Sequence, residues 1–326
     1  MDQADPIQQM REVSRHIDSV FLHSRIATSD ALDAAIGCRI LAKVELENPI
    51  GSFKGRGTEW FCATALSPGE PVVCASAGNF GLGLARAASR RGHACVVFVA
   101  RNANPVKVEA LRRLGVDVRF AGNDFDAAKE TARAHAMAHN LRFVEDGAEP
   151  EIAQGAGTIA LELLDGARFD AMVVPLGNGA LLAGIGSALR YLAPHTEIIA
   201  VVARNAPAMK QSLEAGIAIE TEHADTIADG IAVRTPIASA LPELRDCCDA
   251  VVAVSEQEIF EAMQLIHRHL HLVVEPAGAV GIAAVMADPR HFAKRCVATV
   301  LSGGNIAPAL RERLSSRSSD RNLPIP

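Results

Sequence analysis

Short apolar runs alternating with amphipathic stretches constrain this 326-residue chain more than any other feature. Pro71–Ala75, Ala94–Val99, Val116–Phe120, Ala171–Pro175, Ile198–Val202 and Val297–Leu301 read as buried strands. Between them, Gly83–Arg91, Val106–Leu114, Asp126–His139, Gly155–Leu164, Leu181–Leu192 and Glu256–His269 carry helical spacing. A strand-helix-strand order predicts an α/β fold with parallel sheets, since a parallel partner needs a long crossover. Ligands of such sheets bind beyond the carboxyl ends of the strands. The residues directly after the apolar runs are therefore the candidates for chemistry.

Composition narrows the class. The chain is 49% hydrophobic but 4% aromatic, so aliphatic and alanine side chains must build the core. Its length suits two lobes sharing a cleft rather than one small core. A net charge of -6, from 32 basic and 38 acidic residues, with no basic stripe, excludes a phosphate-backbone binder, so no nucleic-acid partner is expected. Met1 to Arg15 is polar and lacks the apolar stretch of a signal peptide, and no segment holds the roughly 20 apolar residues of a membrane span. No membrane partner is expected. Seven scattered cysteines form no CxxC pair and no metal spacing. Their odd number excludes a full disulfide framework and predicts reduced, mostly core residues in a cytoplasmic protein. No internal repeat or low-complexity linker marks a domain boundary, and the Ser-, Arg- and Pro-rich tail Arg311 to Pro326 is expected to be loose.

Four segments carry the chemical signal. In Asn48-Pro-Ile-Gly-Ser-Phe-Lys-Gly-Arg-Gly57, Lys54 lies among glycines beside Phe53. It reads as a surface lysine in a turn or as a Schiff-base amine, which must be unprotonated part of the time. A P-loop is excluded because GxxxxGK[ST] is absent. Ser76-Ala77-Gly78-Asn79-Phe80-Gly81 follows a strand and opens a helix, which makes it either a capped turn or an anion site of backbone amides. Gly177-Asn178-Gly179-Ala180-Leu181 offers consecutive amides little obstructed by Cβ atoms, ahead of a helix. The start of a dinucleotide fingerprint is the rival reading, but Leu182 occupies its third glycine position, and Glu197 begins a strand where a ribose acid would end one. Ser302-Gly303-Gly304-Asn305 follows the last strand and is either a glycine turn or a hydroxyl presented to a ligand.

In type and order these segments resemble the fold-type II pyridoxal-phosphate enzymes, in particular the serine/threonine dehydratase group, from about Arg25 to Ile306. The resemblance implies a two-lobed open parallel-sheet architecture with pyridoxal 5'-phosphate in the interlobe cleft, and a homodimer. Residues 1–63 and 149–326 would form the large lobe anchoring the cofactor, and 64–148 a small lobe. Lys54 would be the Schiff-base and catalytic lysine, with Phe53 against the ring. Ser76, Ala77, Gly78, Asn79 and Phe80 would hold the substrate carboxylate, and Asn79 would also donate to the ring 3'-oxygen. Gly177, Asn178, Gly179, Ala180 and Leu181 would cup the phosphate; the family commonly has a four-glycine run here, from which Asn178 and Ala180 depart. Ser302 would bond the pyridine nitrogen, and a neutral hydroxyl there favours β-elimination over transamination. Thr226–Val233 and Glu275–Ala279 look like the dehydratase versions of their segments. Gly230 would pass close to the cofactor, and Glu275 would face the site or serve as a helix-start carboxylate beside Pro276.

Departures narrow the activity. Racemases of this group carry a second serine where this chain has Ala77, which cannot exchange a proton. They also bind a divalent metal through two carboxylates at positions occupied here by Val202 and Ala208, so no metal is expected. Phe80 stands where many relatives have histidine and makes the loop bulkier. The 21 residues after Asn305 are too few for the regulatory domain of biosynthetic threonine dehydratases. The expected activity is β-elimination from a β-hydroxy α-amino acid such as L-threonine or L-serine, giving a 2-oxo acid and ammonia. A β-replacement or threonine-synthase-like enzyme is the alternative, with a nicotinamide-dependent dehydrogenase behind it.

Overall fold

The computed structural model describes residues 6–103 and 105–316. In chain order the elements begin α1 (Pro6–His16), β1 (Ile26–Ala27), α2 (Asp30–Ile36), β2 (Arg39–Val44), α3 (Lys54–Thr64), β3 (Val72–Ala75) and α4 (Asn79–Arg90). Next come β4 (Cys95–Val99), α5 (Pro105–Arg113), β5 (Asp117–Phe120), α6 (Phe125–Ala138), β6 (Arg142–Phe143), α7 (Pro150–Gly166) and β7 (Ala171–Pro175). The remainder are α8 (Ala180–Leu192), β8 (Glu197–Ala203), α9 (Ala208–Ala215), α10 (Leu241–Asp246), β9 (Ala250–Val254) and α11 (Glu256–Leu270), then α12 (Pro276–Ala287), α13 (Pro289–Phe292), β10 (Cys296–Leu301) and α14 (Pro308–Ser316). The tail expected to be loose is helical from Arg311 to Ser316, and its remaining residues lie outside those described.

The chain divides into two compact units. One comprises Met1–Leu22 and Phe53–Thr158, the other His23–Ser52 and Ile159–Pro326. In the first, four parallel strands lie in the order β5-β4-β3-β6. Val73 and Ala75 of β3 pack with Phe98, Ala121, Ala132 and Ala136 in a core built largely from alanine. This unit reaches past the expected 64–148 on both sides, taking in α3 and the first half of α7. Glycine is the physical reason. A Cβ on Gly155 would lie 2.5 Å from Arg56 O and from Gly57 Cα, and one on Gly57 would lie 2.8 Å from Ile152 Cα. Without those side chains the two helix backbones touch, and Arg56 Nη1 donates to Thr158 Oγ1 at 3.0 Å across the contact. On the other side of α3, buried Glu59 meets Arg86 at 2.6 Å and Arg91 at 3.3 Å. Burial pushes the Glu59 carboxyl above its ordinary value, against the pull of both guanidiniums.

The second unit holds a six-stranded sheet in the order β1-β2-β10-β7-β8-β9, parallel except for β1 at the edge. Here α12 is apolar on every side and buried from Pro276 to Val285, packed on α11 and against β7 and β10. A helix without a polar face has to be a core helix. Inside β2, Lys43 is buried at 1% exposure and pairs with Glu162 at 2.7 Å.

Candidate active site

Lys54 opens α3, with Phe53 as the residue before it. Its amine donates to Asp146 Oδ2 at 2.6 Å and lies 4.6 Å from the centre of the Phe53 ring. Both charged side chains are largely enclosed, at 13% exposure for Lys54 and 17% for Asp146. The backbone of Lys54 is met by α4: a Cβ on Gly83 would lie 3.3 Å from Lys54 C and O and 2.9 Å from Thr58 Oγ1. The first unit thus packs the two helices whose N-termini carry Lys54 and Asn79.

The Ser76–Phe80 loop links β3 to α4. Ser76 N donates to Phe98 O at 3.2 Å, fixing the strand exit, and Gly78 N donates to Ser76 Oγ at 3.2 Å. Leu82 N to Gly78 O, at 3.1 Å, is the first i to i−4 bond of α4. The amides of Asn79, Phe80 and Gly81 precede it, the usual condition for an anion-accepting helix start. Ser76, Ala77, Gly78 and Asn79 are partly buried, while Phe80 is buried at 6% exposure.

In the second unit, β7 is followed by Leu176, whose N–H donates to Val201 O at 2.8 Å, and the chain then turns through Gly177-Asn178-Gly179 into α8. Gly179 has φ 105, a conformation side chains rarely adopt. Ala183 N bonds Gly179 O at 2.8 Å, so the amides of Ala180, Leu181 and Leu182 lead the helix. A Cβ on Gly177 would lie 3.0 Å from Gly230 O, and one on Gly230 would lie 3.0 Å from Ala277 Cβ and 3.7 Å from Glu275 Oε1. One on Gly278 would lie 3.1 Å from Gly303 O and 3.2 Å from Ser302 N. Glu275, buried at 3% exposure, precedes α12, and its N–H donates to Gly303 O at 3.0 Å. Four segments distant in sequence therefore converge where β7 and β10 end, with Ser302 buried among them.

The remaining expectations also find places. Glu197 takes His291 Nε2 at 2.9 Å and Arg295 Nη1 at 2.6 Å, a structural pairing at the start of β8. Val202 and Ala208 are both buried. All seven cysteines are free thiols. Sequence reasoning missed Asp146. Its signal was topological: β6 pairs in parallel with β3, Val73 opposite Phe143, so residues after β6 emerge at the same sheet end as the Ser76 loop.

The family model described as pyridoxal-phosphate dependent enzyme matches residues 22–303. The L-threonine ammonia-lyase of Thermotoga maritima is 35% identical over 315 residues, 95% of this chain and 78% of that protein. A serine racemase of Arabidopsis thaliana is 32% identical, covering 93% of this chain and 94% of its own. The crystal structure of a T.th. threonine deaminase superimposes with a TM-score of 0.86 at 32% identity, over 92% of this chain and 98% of that one.

Proposed function

We propose, from the premise that this chain belongs to the family of pyridoxal-phosphate dependent enzymes, that it is an ammonia-lyase for a β-hydroxy α-amino acid, L-threonine or L-serine, releasing a 2-oxo acid and ammonia. The names of its relatives support the reaction class. The observation that carries the reading is the amine of Lys54, enclosed at 13% exposure at a helix start within the same compact unit as the Asn79 loop.

The residues fit the cofactor. Gly177 and Gly179 let the turn pack directly on Gly230 and Leu244 without side chains of its own, and the leading amides of α8 supply donors for a phosphate. When bound, pyridoxal phosphate supplies an electron-withdrawing ring that makes the substrate Cα–H acidic and lets the β-hydroxyl leave with its electron pair. Lys54 Nζ would hold the cofactor's aldehyde carbon and, once released, take the Cα proton. The amides of Asn79, Phe80 and Gly81 would orient the substrate carboxylate, with Asn79 donating to the ring 3'-oxygen. Gly177 to Leu181 would hold the phosphate, and the Ser302 hydroxyl would meet the ring nitrogen without protonating it. Phe53, Gly230 and Glu275 would line the ring. Ala77, lacking an exchangeable proton, supports elimination over racemisation. The same reading makes the protein a cytoplasmic homodimer, a compartment that its free thiols suit.

The test is to assay the purified protein with a panel of β-hydroxy amino acids, measuring 2-oxo acid and ammonia. Turnover of serine or threonine with loss of at least about 10³-fold in Lys54→Ala is expected, in the range for removal of a proton-transferring nucleophile. Full turnover in Lys54→Ala, or thiol-substituted products in place of the 2-oxo acid, would overturn the assignment.

A further inference from the structure

We infer that Asp146 is a positioning residue for Lys54: its carboxylate holds the lysine ammonium in the ligand-free chain and takes a proton from it when the amine becomes a nucleophile. The inference rests on the reading of Lys54 as the residue that links to pyridoxal phosphate.

Three observations converge on this. Lys54 Nζ donates to Asp146 Oδ2 at 2.6 Å, with both side chains mostly shielded from solvent. The neighbouring acids are occupied elsewhere, Glu145 by Lys129 and Arg133 and Glu149 by Arg142. Asp146 Oδ1 is buried and has no hydrogen-bond partner among the described residues. Buried polar atoms are normally satisfied, and with Oδ1 uncommitted Asp146 can take a proton without breaking a bond to another group. The parallel pairing of β6 with β3, continued by Val144 N to Val73 O at 2.8 Å, delivers Asp146 to the strand ends where ligands of such sheets bind.

The chemistry follows from the pair. An ammonium has no lone pair and cannot attack an aldehyde. Transfer within the pair breaks one N–H bond of Lys54 and forms one O–H bond on Asp146, so an ion pair becomes a neutral amine and a carboxylic acid with no change in total charge. Once the nitrogen is committed to a covalent bond with the cofactor, a carboxylate left alone would be buried and unpaired, which the acid form avoids.

The test uses the full chain stripped of cofactor, comparing wild type with Asp146→Asn and Asp146→Glu. Acetylation of Lys54 at neutral pH, followed by peptide mass spectrometry, reads the fraction of neutral amine without any catalysis. Asp146→Asn is expected to speed it about tenfold, and Asp146→Glu to return it to within about twofold of wild type, since only the former removes the charge that favours the ammonium. In the reloaded enzymes kcat is expected to fall about tenfold in Asp146→Asn, with KM moving less than about threefold. Acetylation of Asp146→Asn within twofold of wild type would overturn the inference. Should that variant fail to fold by circular dichroism, zero-length carbodiimide coupling of the wild type decides. An amide between Asp146 and Lys54 is expected in the stripped chain, and its absence overturns the inference. Borohydride reduction of wild type with pyridoxal phosphate separates the two readings: if Lys54 stays unmodified, the assignment of Lys54 itself fails.

Discussion

Gly179→Ala should expose how the glycine turn before α8 is built. The residue holds φ 105, where an alanine Cβ costs about 1–2 kcal/mol. The new methyl would also lie 2.6 and 2.8 Å from the two terminal carbons of Leu244, a side chain 1% exposed with little room to retreat. Forcing it off its rotamer adds roughly 0.5–1.5 kcal/mol, so the strain totals about 2–3 kcal/mol. If the turn keeps its shape, the cost falls on stability, and the melting temperature drops by about 5–10 °C at roughly 2–4 °C per kcal/mol. If the turn relaxes, the leading amides of α8 swing away from the phosphate they are proposed to hold, and Kd for pyridoxal phosphate rises by about 30- to 150-fold for the same energy. Differential scanning calorimetry of the cofactor-free protein and an absorbance titration with pyridoxal phosphate read the two terms. Gly37→Ala is the control: φ there is +89 and nothing lies within 4 Å of its Cβ position, so it carries backbone strain alone. It should lower stability by about 1–2 kcal/mol and leave the cofactor Kd unchanged. Gly179→Ala melting within a degree of wild type and binding the cofactor within twofold of it would refute the reasoning.

Two further outcomes are expected. Ser302→Ala would remove the hydrogen bond proposed between its hydroxyl and the ring nitrogen, worth about 1 kcal/mol, so kcat/KM should fall about fivefold while the bound cofactor's visible band shifts; no change in either would remove Ser302 from the proposed site. The protein should also be base-labile. Burial pushes the Cys62 and Cys95 thiols from 9.0 up to about 12. The folded chain therefore keeps protons that the unfolded chain gives up, so the contribution is fully present below about pH 9 and is lost as pH rises towards 12, at about 1.4 kcal/mol per pH unit for each thiol. Urea midpoints measured from pH 8 to 11 check this, and a flat profile, or one unchanged in Cys62→Ala with Cys95→Ala, would contradict it.

Apart from the exposed β5, the strands that sequence made visible are largely buried along their length. Ala171–Pro175 was expected with the limits it has, and β3, β4, β5, β8 and β10 depart from expectation by one residue at one or both ends. β2 was not seen because Lys43 interrupts its apolar run, and the Glu162 carboxylate that makes a buried lysine tolerable lies more than a hundred residues away. α12 was missed for the opposite reason: with no polar face it has no periodicity to detect. α3 was obscured by Gly55 and Gly57, which lower helix propensity where the Phe21 ring packs on the first and α7 on the second.

That last conflict explains why the candidate-site motifs stand out in the sequence more than the helices that carry them. A residue that weakens its own helix is retained where something must come close, and this chain does so repeatedly. Gly57 and Gly155 admit a helix backbone, Gly83 admits the backbone of Lys54, and Gly177, Gly230 and Gly278 admit one another's segments near Ser302. Local propensity scores these positions as poor, whereas a motif reading registers Gly57, Gly177, Gly230 and the segment holding Gly278 as signal. Asp146 escaped both readings. Gly147 beside it reads as an ordinary turn glycine, β6 is only two residues long, and an aspartate after a glutamate reads as ordinary surface charge. Only the parallel register of β6 on β3 gives that carboxylate its place beside Lys54, and register is a property of paired strands that a single short strand cannot announce.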